Sequence, residues 1–320
     1  MVISEARKPA KGVFEAVVSA NKQIGSQFGK LKLTFSGDGA RAFAGCKPGQ
    51  FAELDLTNTA LPSPEKIPPD LVDSSGRNIL LRRPFSFTDV TTHGDKTFAE
   101  LLYCVVGPAS LRMTTLSSGD SLSVIGPLGN SFRIQDNKKY ALLVAGGMGT
   151  PPLQHLAKVL TFDHKDIEVT AFVGAKTRTA LPFEGRLDEV SQQLGFSLRE
   201  YAQYGVESIV ATDDGSIGYK GFVTDCLVEW LEKSESTGNE IIIYSCGPEE
   251  MLAKVAEIAA GKNIDCQVSM ERRMACGIGL CQSCAIECRI PDSNQTIYKM
   301  CCEDGPVFYS KEIVFSLKPE

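Results

Sequence analysis

The chain has 320 residues, 43% of them hydrophobic and 22% charged, with 29 glycines and a formal net charge of −6. That length accommodates two or three domains, and the acidic balance argues against a nucleic-acid or anionic-membrane partner, since both reward a basic surface. No apolar run approaches the roughly 18 residues of a membrane-spanning helix, the opening MVISEARKPAKG lacks the apolar centre of a signal peptide, and eleven cysteines, about half of them at one end, read as metal usage in a reducing compartment, hence a cytoplasmic protein.

Residues 12–135 read as β-rich. GVFEAVVSANKQI, FGKLKLTF, GQFAELDL, KTFAELLYCVVG and DSLSVIG are short alternating or apolar runs parted by Gly, Pro, Asn and Asp, the pattern of a small barrel. Between them LPSPEKIPPDLVDSSGRN (61–78) has four prolines and no periodicity, and is expected to be a surface loop or insertion. Arg82-Arg83-Pro84-Phe85-Ser86-Phe87 follows. Pro84 argues against a central strand position. An arginine beside an aromatic ring and a hydroxyl suits a phosphate and a flat ring, although such a turn is more often an ordinary strand end.

From Lys138 the pattern changes. YALLVAGG (140–147) is a continuous apolar run ending in glycines, as in a buried parallel strand, and GMGTPPLQHLAKVL continues into a helix with Pro151 or Pro152 in its first turn. IEVTAFVGA (167–175), ESIVATDDGSIGYKGFVTDCLVEWLEK (207–233) and EIIIYSCGPEEMLAKVAEIAAGK (240–262) extend the alternation of strands and helices, predicting a doubly wound parallel sheet. Gly146-Gly147-Met148-Gly149 and Cys246-Gly247-Pro248 then fall at the C-terminal strand ends, where a helix N-terminus accepts a pyrophosphate. Neither is a full G-x-G-x-x-G.

The last segment, MERRMACGIGLCQSCAIECRIPDSNQTIYKMCCEDGP (270–306), is the most specific. Cys276, Cys281 and Cys284 stand in C-x4-C-x2-C order, the plant-type [2Fe–2S] spacing that a distant fourth cysteine completes. Gly277 and Gly279 permit a loop whose N–H groups turn toward the sulfurs. A structural zinc site favours two knuckles and the segment has one; inert buried thiols are the bland alternative. For the fourth ligand Cys288, Cys301 and Cys302 compete, and adjacent residues on a strand face opposite ways, so only one of Cys301 and Cys302 can serve.

In this order the motifs resemble the ferredoxin–NADP reductase superfamily. GPLGNSF (126–132), VAGGMGTPPL (144–153), ATDDGSIGYKGFVTD (211–225), CGPEEML (246–252), MACGIGLCQSCA (274–285) and CEDGPVF (302–308) resemble the electron-transfer subunit of dihydroorotate dehydrogenase B over nearly the whole chain. The resemblance selects Cys302, which directly precedes the family's acidic residue and Asp-Gly-Pro. It implies that Arg83 grips the FAD pyrophosphate, Phe85 packs on the cofactor and Ser86 sits near flavin N5, with Pro84 part of the same cofactor-binding motif. Tyr103-Cys104-Val105 would run beside the flavin, and Ala109 and Ser110 would stand where the family usually has Gly-Thr. Gly146, Gly147, Gly149, Thr150, Gly247 and Pro248 would line the nicotinamide nucleotide, with Cys246 near its ring, although a small buried strand-end residue is the plainer reading of that cysteine. The 61–78 insertion, Cys301 and Cys288 depart from the family pattern.

The expected domains are an FAD-binding β-barrel domain over 1–136, an NAD(P)-binding α/β domain over 137–264 and a [2Fe-2S] domain over 265–320. Such a chain would be a flavin- and iron–sulfur-dependent NAD(H) oxidoreductase subunit of pyrimidine biosynthesis, passing electrons between an FMN-containing dihydroorotate dehydrogenase partner and NAD+. Little acid–base machinery is needed, so no catalytic side chain is assigned, and His93, His155 and His164 read as surface or packing residues. Thr177 and Arg178 are candidates for a 2′-phosphate, against the plainer reading of a solvated loop arginine. The competing classes are a free-standing reductase feeding a ferredoxin, sulfite or hydrogenase module, and a flavin and cluster redox sensor.

Overall fold

The structure, a computed structural model, describes residues 11–183 and 198–315; most of the N-terminal stretch read for a signal lies outside them. Six antiparallel strands close a barrel in the order β1-β2-β5-β4-β3-β6: β1 (Gly12–Ile24), β2 (Phe28–Phe35), β3 (Phe51–Leu54), β4 (Arg83–His93), β5 (Lys96–Cys104) and β6 (Ser121–Leu128). Alternation explains them. In β2, Leu31, Leu33 and Phe35 are buried while Lys32 is exposed, the period of two that sets one face inward. Between β2 and β3, α1 (Gly37–Ala44) presses Phe43 onto Phe35, with ring centroids 4.0 Å apart. At eight residues, with glycines at 37 and 39, it is too short to stand alone, and the burial of Phe43 holds it in place.

Segment 61–78 is a loop of short helical turns ending in α2 (Val72–Ser75). It is anchored where Arg112 of α3 (Pro108–Met113) donates to the Ser75 carbonyl at 3.0 Å. Pro84 lies within β4, a strand flanked by β3 and β5, yet its own position is not central, as the sequence leads one to expect. The reason lies in the register. Residues 83–86 pair only with β3, and pairing with β5 begins at Phe87, so the missing N–H of Pro84 costs no bond to β5.

The second unit is a seven-stranded sheet in the order β10-β9-β8-β7-β11-β12-β15. β7 (Tyr140–Gly146), β8 (Glu168–Ala175), β9 (Glu207–Thr212), β10 (Tyr219–Lys220), β11 (Ile241–Cys246) and β12 (Asp265–Ser269) run parallel. The helices α4 (Thr150–Asp163), α5 (Arg199–Ala202), α6 (Val223–Lys233) and α7 (Glu249–Gly261) lie between them in the chain. Order reverses between β7 and β11, the crevice where such sheets take ligands. A hairpin of β13 (Ala285–Arg289) and β14 (Thr296–Met300) follows β12, and β15 (Val307–Tyr309) returns to pair antiparallel with it. The sheet thus takes in residues 265–269 and 307–309 from the segment the sequence set apart.

Two motifs lock the units together. The Asn130 side chain donates to the carbonyls of Asp304 and Val307, both at 2.8 Å, and accepts the Val307 N–H at 2.9 Å, so GPLGNSF and CEDGPVF recognise each other. Across the other side, Lys158 of α4 pairs with Asp89 and donates to Thr91 Oγ1 of β4. Among the described residues no helix is long and apolar enough to cross a membrane.

His164 shares a 2.7 Å hydrogen bond with Asp136, and His155 is 4% exposed. Burial holds the His155 imidazole down to about 4, with Asp89 pulling upward and Lys158 downward. An unfolded imidazole protonates near 6.5, so between these values the unfolded chain binds the extra proton. That share of stability is complete above about 6.5 and is lost as pH falls to about 4. His155→Gln is expected to flatten this acid slope, worth about 3 kcal/mol, in urea unfolding compared at pH 7 and pH 4.5.

Candidate functional site

The chain leaves β12 through Met270 and wraps residues 271–284 into a loop with left-handed backbone at Gly277 (φ 67°), Gly279 (φ 84°) and Gln282 (φ 59°). These turns aim amides at sulfurs. The Gly279 N–H lies 3.1 Å from Cys302 Sγ, and the Cys281 N–H 3.4 Å from Cys276 Sγ. The hairpin does the rest. Its register sets Ala285 opposite Met300, and the Cys301 N–H bonds the Cys284 carbonyl at 3.0 Å, leaving the Cys284 and Cys302 sulfurs 3.3 Å apart. Cys301 turns away to the Met270 carbonyl at 3.2 Å, and Cys288 is buried beside the Ile286 carbonyl.

The four sulfurs therefore fall in two pairs, Cys276 with Cys281 and Cys284 with Cys302. Among the described residues no three ligating side chains converge as they would on a single ion; a two-iron cluster takes two thiolates per iron and does not require that. The electrostatics suit thiolates at the open end. Cys281 is exposed, and the Ser283 hydroxyl first, then its amide, with Cys276 also contributing, draw its thiol down to about 6. Burial, and next Cys284, push the Cys302 thiol up to about 12 while the Gly279 amide pulls the other way; bound metal reverses such a shift outright. The donor set fits a [2Fe–2S] cluster.

Beside this loop stands the start of β4. The register Phe51↔Ser86 and Glu53↔Pro84 puts these residues on the barrel's outer face, while Ala52 and Leu54 belong to its core. Arg82 is engaged with the Ser123 carbonyl at 2.7 Å and Asp55 at 3.3 Å. Among the described residues Arg83 bonds the preceding carbonyls of Leu81 and Arg82; it stays half-buried, as does Ser86, while half-buried Phe85, opposite Ala52, packs against the barrel core. No motif in the sequence marks Glu53. It is 0% exposed, and neither carboxylate oxygen has a hydrogen-bond partner. Burial pushes its carboxyl up to about 7, against the pull of Arg83 and Arg82, with Cys281 adding to the rise.

Tyr103 is a wall residue, 2% exposed, its hydroxyl 3.1 Å from Asn21 Oδ1 and its ring filling the space of a Cβ at Gly29. Cys104, half-buried, and Met148 of the glycine turn both pack against Ile24, Phe28 and Leu102, so the barrel edge and the nucleotide unit meet there. Val105 donates to the Gln27 carbonyl at 2.7 Å. Ala109 lies buried in α3, and the Ser110 hydroxyl accepts the amides of Val106 and Gly107 at 2.9 and 3.2 Å, closing its own turn.

At the reversal point of the sheet opens a cleft of about 740 Å³. Gly146, Gly147 and Pro248 line it. Gly149, Thr150, Cys246 and Gly247 stand behind as the structure of the two turns. Thr150 donates to the Gly147 carbonyl at 2.8 Å, and a Cβ at Gly149 would lie 1.9 Å from the Cys246 carbonyl. A Cβ at Gly247 would meet Met251 at 2.7 Å and the Gly146 nitrogen at 2.9 Å. Burial pushes the Cys246 thiol up to about 12, with Ser269 opposing. The cleft also draws on Lys176 and Lys254, which lie outside the sequence motifs, and on Asp213, Phe222 and Met251, which lie within them without an assigned role. Lys176 and Asp213 directly follow β8 and β9, the rule that located the glycines. Thr177 and Arg178 are absent from the lining: the Thr177 hydroxyl bonds that of Thr179, and the Arg178 amide bonds Ser216.

The iron–sulfur cluster binding domain of dihydroorotate dehydrogenase B matches residues 271–314, and the oxidoreductase NAD-binding domain matches 143–257. A dihydroorotate dehydrogenase B (NAD(+)) electron transfer subunit from Caldanaerobacter subterraneus subsp. tengcongensis is 33% identical over 94% of this chain and 98% of its own length. The chain belongs to this family of electron-transfer subunits. The Listeria monocytogenes member is 36% identical over 84% of this chain and 88% of its own. Among solved structures, the NADH-dependent reduced ferredoxin-NADP oxidoreductase studied for flavin-based electron bifurcation aligns over 94% of this chain and 90% of its own. It does so with a TM-score of 0.68 at 23% identity. The ferredoxin reductase of carbazole 1,9a-dioxygenase aligns at 0.55 and 19% identity over 79% of this chain and 67% of its own. These two likenesses concern the fold, and they make the barrel-plus-sheet arrangement that of the reductases.

Proposed function

We propose that this chain is the electron-transfer subunit of a dihydroorotate dehydrogenase, exchanging electrons between an FMN-containing catalytic partner and NAD+ in pyrimidine biosynthesis, in the cytoplasm. The observation that carries it is one chain holding a two-by-two set of cysteine sulfurs, a nucleotide cleft at the sheet's reversal point, and the Arg83–Ser86 strand at the barrel edge. FAD, when bound, joins a two-electron hydride carrier to a one-electron cluster.

The residues divide the task. Cys276, Cys281, Cys284 and Cys302 hold the cluster, with the amides of Gly279 and Cys281 steadying two of the sulfurs. Arg83, Phe85 and Ser86 offer FAD a cation, a ring and a hydroxyl, and Pro84 keeps that end of β4 free of β5. Cys104 and Val105 continue the wall on which Tyr103 is fixed, and Ala109 and Ser110 shape the turn at α3. Gly146, Gly147 and Pro248 admit the NAD(H) backbone, while Gly149, Thr150, Cys246 and Gly247 let the two turns approach closely enough to form the cleft. Division into 1–136, 137–264 and 265–320 accords with these three duties, with β12 and β15 binding the third to the second. The exposed end of the loop, where Leu280 is 79% exposed, suits the face toward the partner.

Anaerobic titration of the purified chain with NADH tests the reading. The expected result is FAD and iron in a ratio of one to two and a rhombic EPR signal that grows as NADH is added. Zinc in place of iron, or a flavin that reduces while the cluster never does, would overturn it.

A further inference from the structure

Glu53 sits where the flavin strand and the cluster loop meet. Through the β3–β4 register it shares the outer barrel face with Ser86, its cross-strand partner being Pro84. On the other side it fills the space beside Gly277, where a Cβ would lie 2.5 Å from Glu53 Oε1. It is 0% exposed and both oxygens lack hydrogen-bond partners. A buried carboxylate that accepts no hydrogen bond does nothing for the fold and detracts from its stability. The charged groups facing it are Arg83 and Arg82 from β4 and its approach, and Cys281 from the cluster loop. Arg82 is already shared with Asp55.

We propose that Glu53 is a positioning residue for electron transfer, holding a negative charge between the Arg83–Ser86 strand and the cluster loop that lowers the potential of the cluster. The inference rests on the cluster site proposed above. Adding one electron to a [2Fe–2S] cluster turns one ferric iron ferrous and breaks no bond, so work done against a nearby charge enters the midpoint potential directly. In a water-poor interior that work is large.

The test is an EPR-monitored redox titration of the purified holoprotein at pH 9, well above the usual carboxylate range, with iron and FAD quantified in each sample. Glu53→Gln is expected to keep its iron and flavin, melt at or above the parent temperature, and raise the cluster potential by at least a decade in the one-electron equilibrium, about 59 mV. Glu53→Asp keeps the charge but draws it back from the loop, and is expected to give a smaller rise. An iron-replete Glu53→Gln protein with an unshifted or lowered potential overturns the role. So does a fall in melting temperature with no change in potential, the mark of an ordinary packing residue. If Glu53→Gln fails to load iron, Glu53→Asp decides, and an unshifted potential there overturns the proposal. A parent protein without iron overturns the cluster reading itself, which separates the two failures.

Discussion

Cys302→Ser is expected to leave the chain with little iron and no EPR signal on NADH addition, while Cys301→Ser keeps both. The two residues are neighbours, yet their sulfurs have different surroundings. Cys302 Sγ lies 3.3 Å from that of Cys284 and 3.1 Å from the Gly279 amide, inside the set of four. Cys301 and Cys302 lie in the turn after β14, where the sequence reading expects a strand, and Cys301 Sγ lies 3.2 Å from the carbonyl of Met270, the residue that follows β12. A serine at 302 removes one of the two soft ligands on its iron, and metal affinity that couples to folding goes with it. A serine at 301 retains a donor for the same carbonyl and is expected to change stability by only about 1 kcal/mol. NADH is still expected to reduce the flavin in Cys302→Ser, since the nucleotide cleft lies elsewhere on the sheet. Iron content with absorbance and EPR checks both variants; iron retained in Cys302→Ser and lost in Cys301→Ser would reverse the assignment.

Gly149→Ala is expected to cost about 3 kcal/mol of stability and to weaken NAD+ binding at least tenfold. The φ of Gly149 is −70°, which any residue adopts, so the demand is for space. An added Cβ would lie 1.9 Å from the Cys246 carbonyl oxygen and 2.6 Å from the Gly247 nitrogen, both backbone atoms that no rotamer change can move. Relief requires the ends of β7 and β11 to separate, and the cleft lies between those ends. Gly147→Ala makes the contrast. Its φ is 49°, with nothing within 4 Å of an added Cβ, so it incurs only left-handed strain of about 1 kcal/mol. Urea unfolding and calorimetric NAD+ titration distinguish the two. Equal effects would mean that conformation, and not the contact between the turns, governs this site.

Most elements and their order are legible in the amino-acid sequence. Period-two runs such as Leu31, Leu33 and Phe35 are set by side-chain alternation within one strand, and continuous runs such as 140–146 by burial on both faces; both are local properties. Cysteine spacing marks the cluster loop for the same reason, since C-x4-C-x2-C is a distance along one short stretch. Helix α1 escapes such a reading because it is about two turns long with glycines at 37 and 39 in its first turn, and only the barrel end makes Phe43 worth burying. Pro84 keeps its local rule inside a strand flanked by β3 and β5 only because β5 stops pairing at Phe87, and that limit is set in another part of the chain. Only in the folded chain is it settled which sulfur of Cys301 and Cys302 faces Cys284, that Lys176 and Asp213 share a cleft with Gly146, and that Glu53 meets Gly277. Each of these is set by strand register and by packing between residues far apart in the chain, which no local periodicity encodes.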